Sequence, residues 1–159
     1  MKLYFLRHAN ALEGADDAAR PLSPQGREEA RAVAEFLRRA RVQFEVAYTS
    51  PLVRARQTTE IVLGLCGRGT SASPQVTEAL LNETSAAEFF RWLARLPSAD
   101  PVLLVGHAPT LARRVRHLLG VTDPEGLKLP TAGLACVETE DRQRGSLRLF
   151  LSPSSLSAA

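Results

Sequence analysis

The sequence predicts an α/β fold, and three observations carry the prediction. Short apolar runs stop abruptly near residues 7, 50 and 107, helical amphipathic stretches separate them, and the chain ends in two extended runs around a polar turn. Residues 2–6, KLYFL, read as a short buried strand. In LSPQGREEARAVAEFLRRA, Ser23 is placed to cap a helix and Pro24 to open it, with Ala30, Val33, Ala34 and Leu37 at helical spacing. EVAYTS, residues 45–50, is strand-like, and Pro51 begins a second helix on which Ala55, Thr58, Ile61, Val62 and Leu65 share a face. GRGTSASP, residues 67–74, reads as a loop. A third helix is expected over 85–96 with Ala86, Phe89, Phe90, Leu93 and Leu96 inward, followed by a buried strand in PVLLVGH. A fourth, 109–120, groups Leu111, Val115, Leu118 and Leu119 and ends at Gly120. GLACVETED and GSLRLFLS read as two extended runs of a hairpin or of adjacent antiparallel strands.

Composition narrows the function classes. With 159 residues, 45% of them hydrophobic, the chain is sized for one domain, expected over 1–151, with 152–159 a disordered tail. No run approaches the roughly 18 apolar residues of a membrane span, and the N-terminus lacks a secretory pattern, so a cytoplasmic protein without a membrane partner is expected. Cys66 and Cys136 form no CxxC pair and read as reduced, partly buried thiols. The net charge of +3 is mostly arginine scattered beside glutamates on helices, with no basic block or interleaved aromatics, which argues against nucleic acid. No cofactor or metal-ligand cluster is indicated.

In α/β proteins ligands gather at the carboxyl ends of strands. Here that rule selects Arg7-His8, then TSPLVRARQT with Arg54 and Arg56, then Gly106-His107 before a helix N-terminus. Singly, each has an ordinary explanation as a structural histidine or a solvated arginine. Together, two of the chain's three histidines share one predicted edge with several arginines, while His117 sits mid-helix and reads as structural. Two imidazoles, two arginine forks and helix N-termini suit a tetrahedral dianion, and a neutral imidazole can attack phosphorus to give a covalent phosphohistidine.

LRHA, RPLSPQG, TSPLVRARQTTE and LLVGHAPTL, in that order over roughly residues 1–120, resemble the histidine phosphatase superfamily (phosphoglycerate mutase-like), and within it the SixA-type phosphohistidine phosphatases. The resemblance implies a three-layer αβα fold with a central mixed, mainly parallel sheet. It also implies His8 as the nucleophile, Arg7 and Arg54 as binders of the phosphoryl oxygens, and His107 as a further contact to the transferring group. Arg56 has a weaker claim. Ala9 stands where broader relatives usually carry glycine, as it often does in SixA-type sequences. Many superfamily members add a mid-chain glutamate as general acid. VTEALLNETSAAEF offers Glu83 and Glu78 without matching that motif, and Glu83 is equally a solvated or helix-capping carboxylate.

The weak acid signal bears on substrate. A sugar alkoxide needs a proton donor to leave, whereas a phosphohistidine imidazole leaves readily once its other nitrogen is protonated. About 46 residues separate Glu60 from Gly106, too few for an obvious lid. Arg20, in the RPLSPQG loop, either borders the open mouth as a substrate-binding residue or holds the loop. The expected function is thus a metal-independent phosphatase for phosphohistidine on a protein, either a histidine-containing phosphotransfer domain or a phosphocarrier. The alternative is a phosphatase for a small phosphate ester, a sugar phosphate or nucleotide. A non-catalytic phosphoryl-binding module ranks third, and a mutase, which needs an enclosed site, is disfavoured.

Overall fold

The computed structural model describes residues 1–66 and 73–157; most of the expected 67–74 loop lies outside the described residues. Six strands, β1 (Lys2–Arg7), β2 (Val46–Thr49), β3 (Gln75–Val76), β4 (Val102–Gly106), β5 (Leu134–Thr139) and β6 (Gly145–Leu151), form one sheet in the order β3-β2-β4-β1-β5-β6. The β3-β2, β2-β4 and β4-β1 pairs are parallel, while β5 runs antiparallel to β1 and β6 antiparallel to β5. The helices are α1 (Pro24–Arg39), α2 (Val53–Cys66), α3 (Ala86–Arg95), α4 (Thr110–Leu119) and α5 (Pro153–Ser157). Single 3-10 turns occur at Asp17–Ala19 and Glu78–Leu80. This is the α/β, mixed and mainly parallel architecture that the sequence predicts.

Strand alternation divides the core in two. Leu3 and Phe5 of β1 and Leu104 of β4 pack with Phe89 and Leu93 of α3 and with Leu111 and Val115 of α4. Tyr4, Leu6, Leu103 and Val105 point to the opposite face, against Val33 and Leu37 of α1 and Ala55 and Val62 of α2. The sheet is therefore covered on both sides, giving three layers. Each fully buried Leu or Phe contributes on the order of 1.5–3 kcal/mol.

The helix signals act as their chemistry requires. Ser23 Oγ accepts from the Gly26 N–H at 3.0 Å, with Pro24 at the first helical position. Ser85 and Glu88 form a reciprocal capping box on α3, and α4 ends on Gly120 in the left-handed region, φ 71°. Three helix faces differ from expectation. On α2 the buried residues are Arg54, Ala55, Thr58, Thr59, Val62 and Cys66, while Leu65 is exposed. Thr58, Thr59 and Cys66 each donate to the carbonyl one turn earlier, so their polar groups are paired and tolerate burial. Ala86 at the start of α3 is exposed, and Leu119 is only partly buried.

The chain end is a correction. A disordered tail is expected over 152–159, of which 158–159 lie outside the described residues, but Pro153–Ser157 forms α5, with Leu156 packed on the α1 side of the core and the N–H groups of Ser155 and Leu156 donating to the Ser152 carbonyl. Both cysteines are free and buried, and burial pushes the Cys66 thiol up to about 11 and raises Cys136 as well. Among the described residues no helix is long and apolar enough to cross a membrane.

One glycine matters to everything downstream. A Cβ on Gly26 would lie 1.9 Å from the Asn10 carbonyl oxygen, in the segment that follows His8. Gly26→Ala should destabilise the fold by about 1–3 kcal/mol and lower activity by displacing that segment. Thermal melts and turnover of the variant test this, and unchanged values would contradict it.

Candidate active site

The parallel register of β1 and β4 pairs Arg7 with Gly106, and the His8 N–H donates to the Gly106 carbonyl at 3.0 Å. The residues that follow these partners, His8 and His107, therefore sit side by side, ring centroids 5.0 Å apart and tilted by 51°. The His8 segment is held from several directions. The Ala9 N–H donates to Thr58 Oγ1 at 3.0 Å, and the Asn10 N–H to Glu29 Oε1 at 2.8 Å. The His8 carbonyl accepts from Ala132 N at 3.1 Å.

The tautomers follow from the partners. His8 Nδ1 lies 2.7 Å from the Ala9 carbonyl oxygen. A carbonyl only accepts, so Nδ1 carries the proton and the Nε2 lone pair is left available. His107 Nε2 lies 2.6 Å from Ser50 Oγ, which itself accepts from the Leu52 N–H at 3.3 Å. With the Leu52 N–H on one Ser50 lone pair, the hydroxyl proton is used when it donates to Nε2, which leaves an N–H on His107 Nδ1. That atom is buried without a partner among the described residues, as is Arg7 Nε.

Arg54 lies in the first turn of α2 and is 8% exposed. Its Nη1 donates to the Asp17 carbonyl at 2.8 Å and its Nη2 meets Asp17 Oδ2 at 3.3 Å. Arg7 Nη1 donates to the Leu129 carbonyl at 3.0 Å. Burial, chiefly, pushes His8 down to about 4, aided by the charges of Arg54, Arg7 and Arg20 and opposed by its bond to Ala9. Burial also pushes His107 down to about 3, with His8, Arg54 and Arg7 adding and Asp17 opposing. Both imidazoles are neutral at physiological pH, so His8 Nε2 is a free base beside fixed positive charge.

The four core candidates, Arg7, His8, Arg54 and His107, thus form one cluster. Arg20 holds the loop: Nε donates to the Leu12 carbonyl at 2.8 Å and Nη1 to Asp17 Oδ1 at 3.0 Å, while its charge still reaches His8. Arg56 is exposed, and His117 is exposed with its ring against Phe90. Glu78 and Glu83 are both exposed, and neither carboxylate bonds any of the four among the described residues. Their segment is nonetheless tied to the turn after His107, because Asn82 Nδ2 donates to the Ala108 carbonyl at 2.8 Å and Arg114 Nη2 to the Thr84 carbonyl at 2.7 Å. Sequence reasoning missed Ser50, Asp17, Thr58 and Asn82. Ser50 alone carried a signal, since it lies between a strand end and a helix-opening proline. Among the described residues no group of three or more His, Cys, Asp or Glu could hold a metal ion.

The model of the histidine phosphatase superfamily (branch 1) matches residues 3–89. The chain belongs to that superfamily. An uncharacterized protein of Picosynechococcus sp. (strain PCC 7002) is 37% identical over 139 residues, 84% of this chain and 82% of that protein. Phosphohistidine phosphatase SixA of Escherichia coli (strain K12) is 28% identical over 163 residues, 100% of this chain and 98% of its own. A structure of the protein histidine phosphatase SixA complexed with tungstate matches with a TM-score of 0.88 at 30% identity, covering 98% of this chain and 99% of that one. This histidine phosphatase superfamily member is therefore SixA-like along its whole described length.

The histidines also set a pH response. Their folded pKa values of about 4 and about 3 lie below the roughly 6.5 of an unfolded histidine. As pH falls below about 6.5 the unfolded chain takes up protons that the folded one refuses, so stability present above that pH is lost on the way down. Melts from about pH 7.5 to about 4.5 should show His8→Asn losing less Tm across the interval than the wild type. Equal slopes would contradict the burial of a neutral His8.

Proposed function

We propose that the chain is a metal-independent phosphatase in which His8 attacks phosphorus and carries the phosphoryl group as covalent phosphohistidine, acting on phosphohistidine of a signalling or phosphocarrier protein. The observation that carries this reading is the pinned tautomer of His8, whose Nδ1 proton is committed to the Ala9 carbonyl, with Nε2 neutral and free beside Arg7, Arg54 and His107. The Nε2 lone pair forms the new P–N bond while the bond to the leaving group breaks with its electron pair. Water then displaces His8 from phosphorus in a second in-line step. Arg7 Nε and His107 Nδ1, both buried without partners among the described residues, are fitted to donate to the phosphoryl oxygens, and Arg54 supplies further positive charge. A tetrahedral oxyanion, tungstate, is the named ligand of the similar SixA structure, which suits the same role for this cluster.

The choice of substrate rests on leaving-group chemistry. Neither Glu78 nor Glu83 bonds the cluster, so a basic alkoxide has no evident proton donor, whereas an imidazole protonated at its far nitrogen leaves as a neutral ring. The name of the SixA relative, a phosphohistidine phosphatase, points the same way. The alternative substrate, a small phosphate ester, has one observation in its favour: Asn82, next to Glu83, is bonded to the Ala108 carbonyl, one residue after His107.

His8→Ala should lower turnover by more than about a thousandfold while the circular dichroism spectrum stays native; wild-type rates in that variant would refute the nucleophile. Vanadate, which adopts the geometry of an in-line transition state, should inhibit in the presence of a chelator that leaves turnover unchanged. In direct competition, kcat/KM for a phosphohistidine-bearing phosphotransfer protein should exceed that for a panel of sugar phosphates and nucleotides. The reverse order would favour the ester reading and predict a loss of ester turnover in Glu83→Gln.

A further inference from the structure

We infer that the Asp17 carboxylate is a catalytic residue that accepts the N–H of the departing imidazole, so that the site selects phosphorus carried on a histidine ring; this rests on the phosphohistidine reading above. Asp17 opens the 3-10 turn Asp17–Ala19, in a loop closed at its base by the Ala11–Leu22 bridge and by Leu12 N donating to the Pro21 carbonyl at 2.9 Å. Its Oδ2 lies 3.3 Å from Arg54 Nη2 and its Oδ1 3.0 Å from Arg20 Nη1. The two sides of the Arg54–Asp17 pair differ in depth: the Arg54 side chain is 9% exposed and that of Asp17 is 67% exposed. An anion thus stands on the more exposed side of the guanidinium whose charge acts on both histidines, and its own charge acts on His107.

In-line attack places the leaving group opposite the nucleophile. The leaving ring of a protein substrate stays outside the enzyme, and Asp17, its side chain 67% exposed, is a carboxylate beside the cluster that meets solvent. A phosphohistidine ring leaves as neutral imidazole when its far nitrogen bears a proton, and that N–H calls for an acceptor. Hydrogen bonding from Arg20, above all, and the charge of Arg54 hold the Asp17 carboxyl below the usual carboxylate range, so it accepts a hydrogen bond and does not deliver a proton. The electron balance is simple. The His8 Nε2 lone pair makes the new P–N bond, the electron pair of the broken P–N bond stays on the leaving ring, and the far N–H keeps its proton throughout, bonded to Asp17. An ester oxygen carries no such N–H and gains nothing from this carboxylate.

The test compares Asp17→Asn with the wild-type full chain on two substrates, a phosphohistidine peptide and para-nitrophenyl phosphate, with vanadate inhibition measured in parallel. Loss of one charge-assisted hydrogen bond should lower kcat/KM on the phosphohistidine peptide by roughly tenfold or more beyond any loss on the aryl ester. Equal losses on both substrates with weakened vanadate binding would overturn the inference, because Asp17 would then serve only to hold Arg54. No loss on either substrate would overturn it too. A wild-type enzyme that cleaves the ester and leaves the phosphohistidine peptide intact would refute the substrate reading itself, and is recognised without the variant. Asp17 is exposed, so the variant is expected to fold, and its melting temperature verifies this.

Discussion

Everything in the candidate site depends on one register. Because β1 and β4 are parallel neighbours with Arg7 opposite Gly106, the residues just beyond each strand emerge at the same edge and in the same direction. A shift by one residue would send one histidine to the other face of the sheet. The register is secured by the alternation of buried side chains on both faces, Leu3, Phe5 and Leu104 against Tyr4, Leu6 and Leu103. The core thus fixes the chemistry, and the rigidity of two buried strands limits how far His8 can drift from His107.

Gathering Arg7, Arg54 and two imidazoles at a buried edge carries an electrostatic cost that the protein meets by keeping the imidazoles neutral. Two unit charges about 4 Å apart repel by about 4 kcal/mol at an effective dielectric constant near 20, so a protonated His8 beside a protonated His107 would strain the fold. Burial and the arginine charges push both protons off. A dianion arriving in the cluster reverses the balance, since its charge compensates the arginines that depress the histidines. Substrate and site are in this sense matched in charge before any bond changes.

Much of this was legible in the residues. Ser23-Pro24 announces α1, the KLYFL and VLLV runs announce β1 and β4, and Arg7, His8, Arg54 and His107 fall at strand or helix ends where ligands collect. Other parts were not legible, for identifiable reasons. The α2 face turned because Thr59 and Cys66 hide their polar groups against the carbonyls one turn earlier, which a hydrophobic pattern does not register. Strand β3 has two residues, both exposed, and pairs with β2 without an apolar signal of its own. The α5 helix did carry a signal, Ser152-Pro153, the same pair that opens α1. Its lack of apolar periodicity masked it, because Leu156 is the one large apolar residue in Pro153–Ser157, and it packs on the core. Asp17 lay unseen in an irregular loop, since nothing in ALEGADDAAR says which acid meets Arg54.

The arginine content receives a physical reading from the same contacts. Some arginines do form the solvated helix pairs expected of them, as Arg38 does with Glu35, and such pairs contribute little. Others reach into the fold and donate to carbonyls of loops, turns and a helix end: Arg7 to Leu129, Arg20 to Leu12, Arg54 to Asp17, Arg114 to Thr84, Arg116 to Leu127 and Arg142 to Leu93 near the end of α3. The planar fork offers five donors, so one guanidinium can satisfy a carbonyl that irregular backbone leaves unpaired and still present N–H groups elsewhere. Arg7 and Arg54 are the two cases whose charge acts on both His8 and His107. In this chain arginine is therefore first a fastener of irregular backbone, and the candidate phosphoryl site is the place where the charge of two fasteners acts on the same pair of imidazoles. A lysine at either position would offer a point charge without the fork, and would give up the loop or the anion.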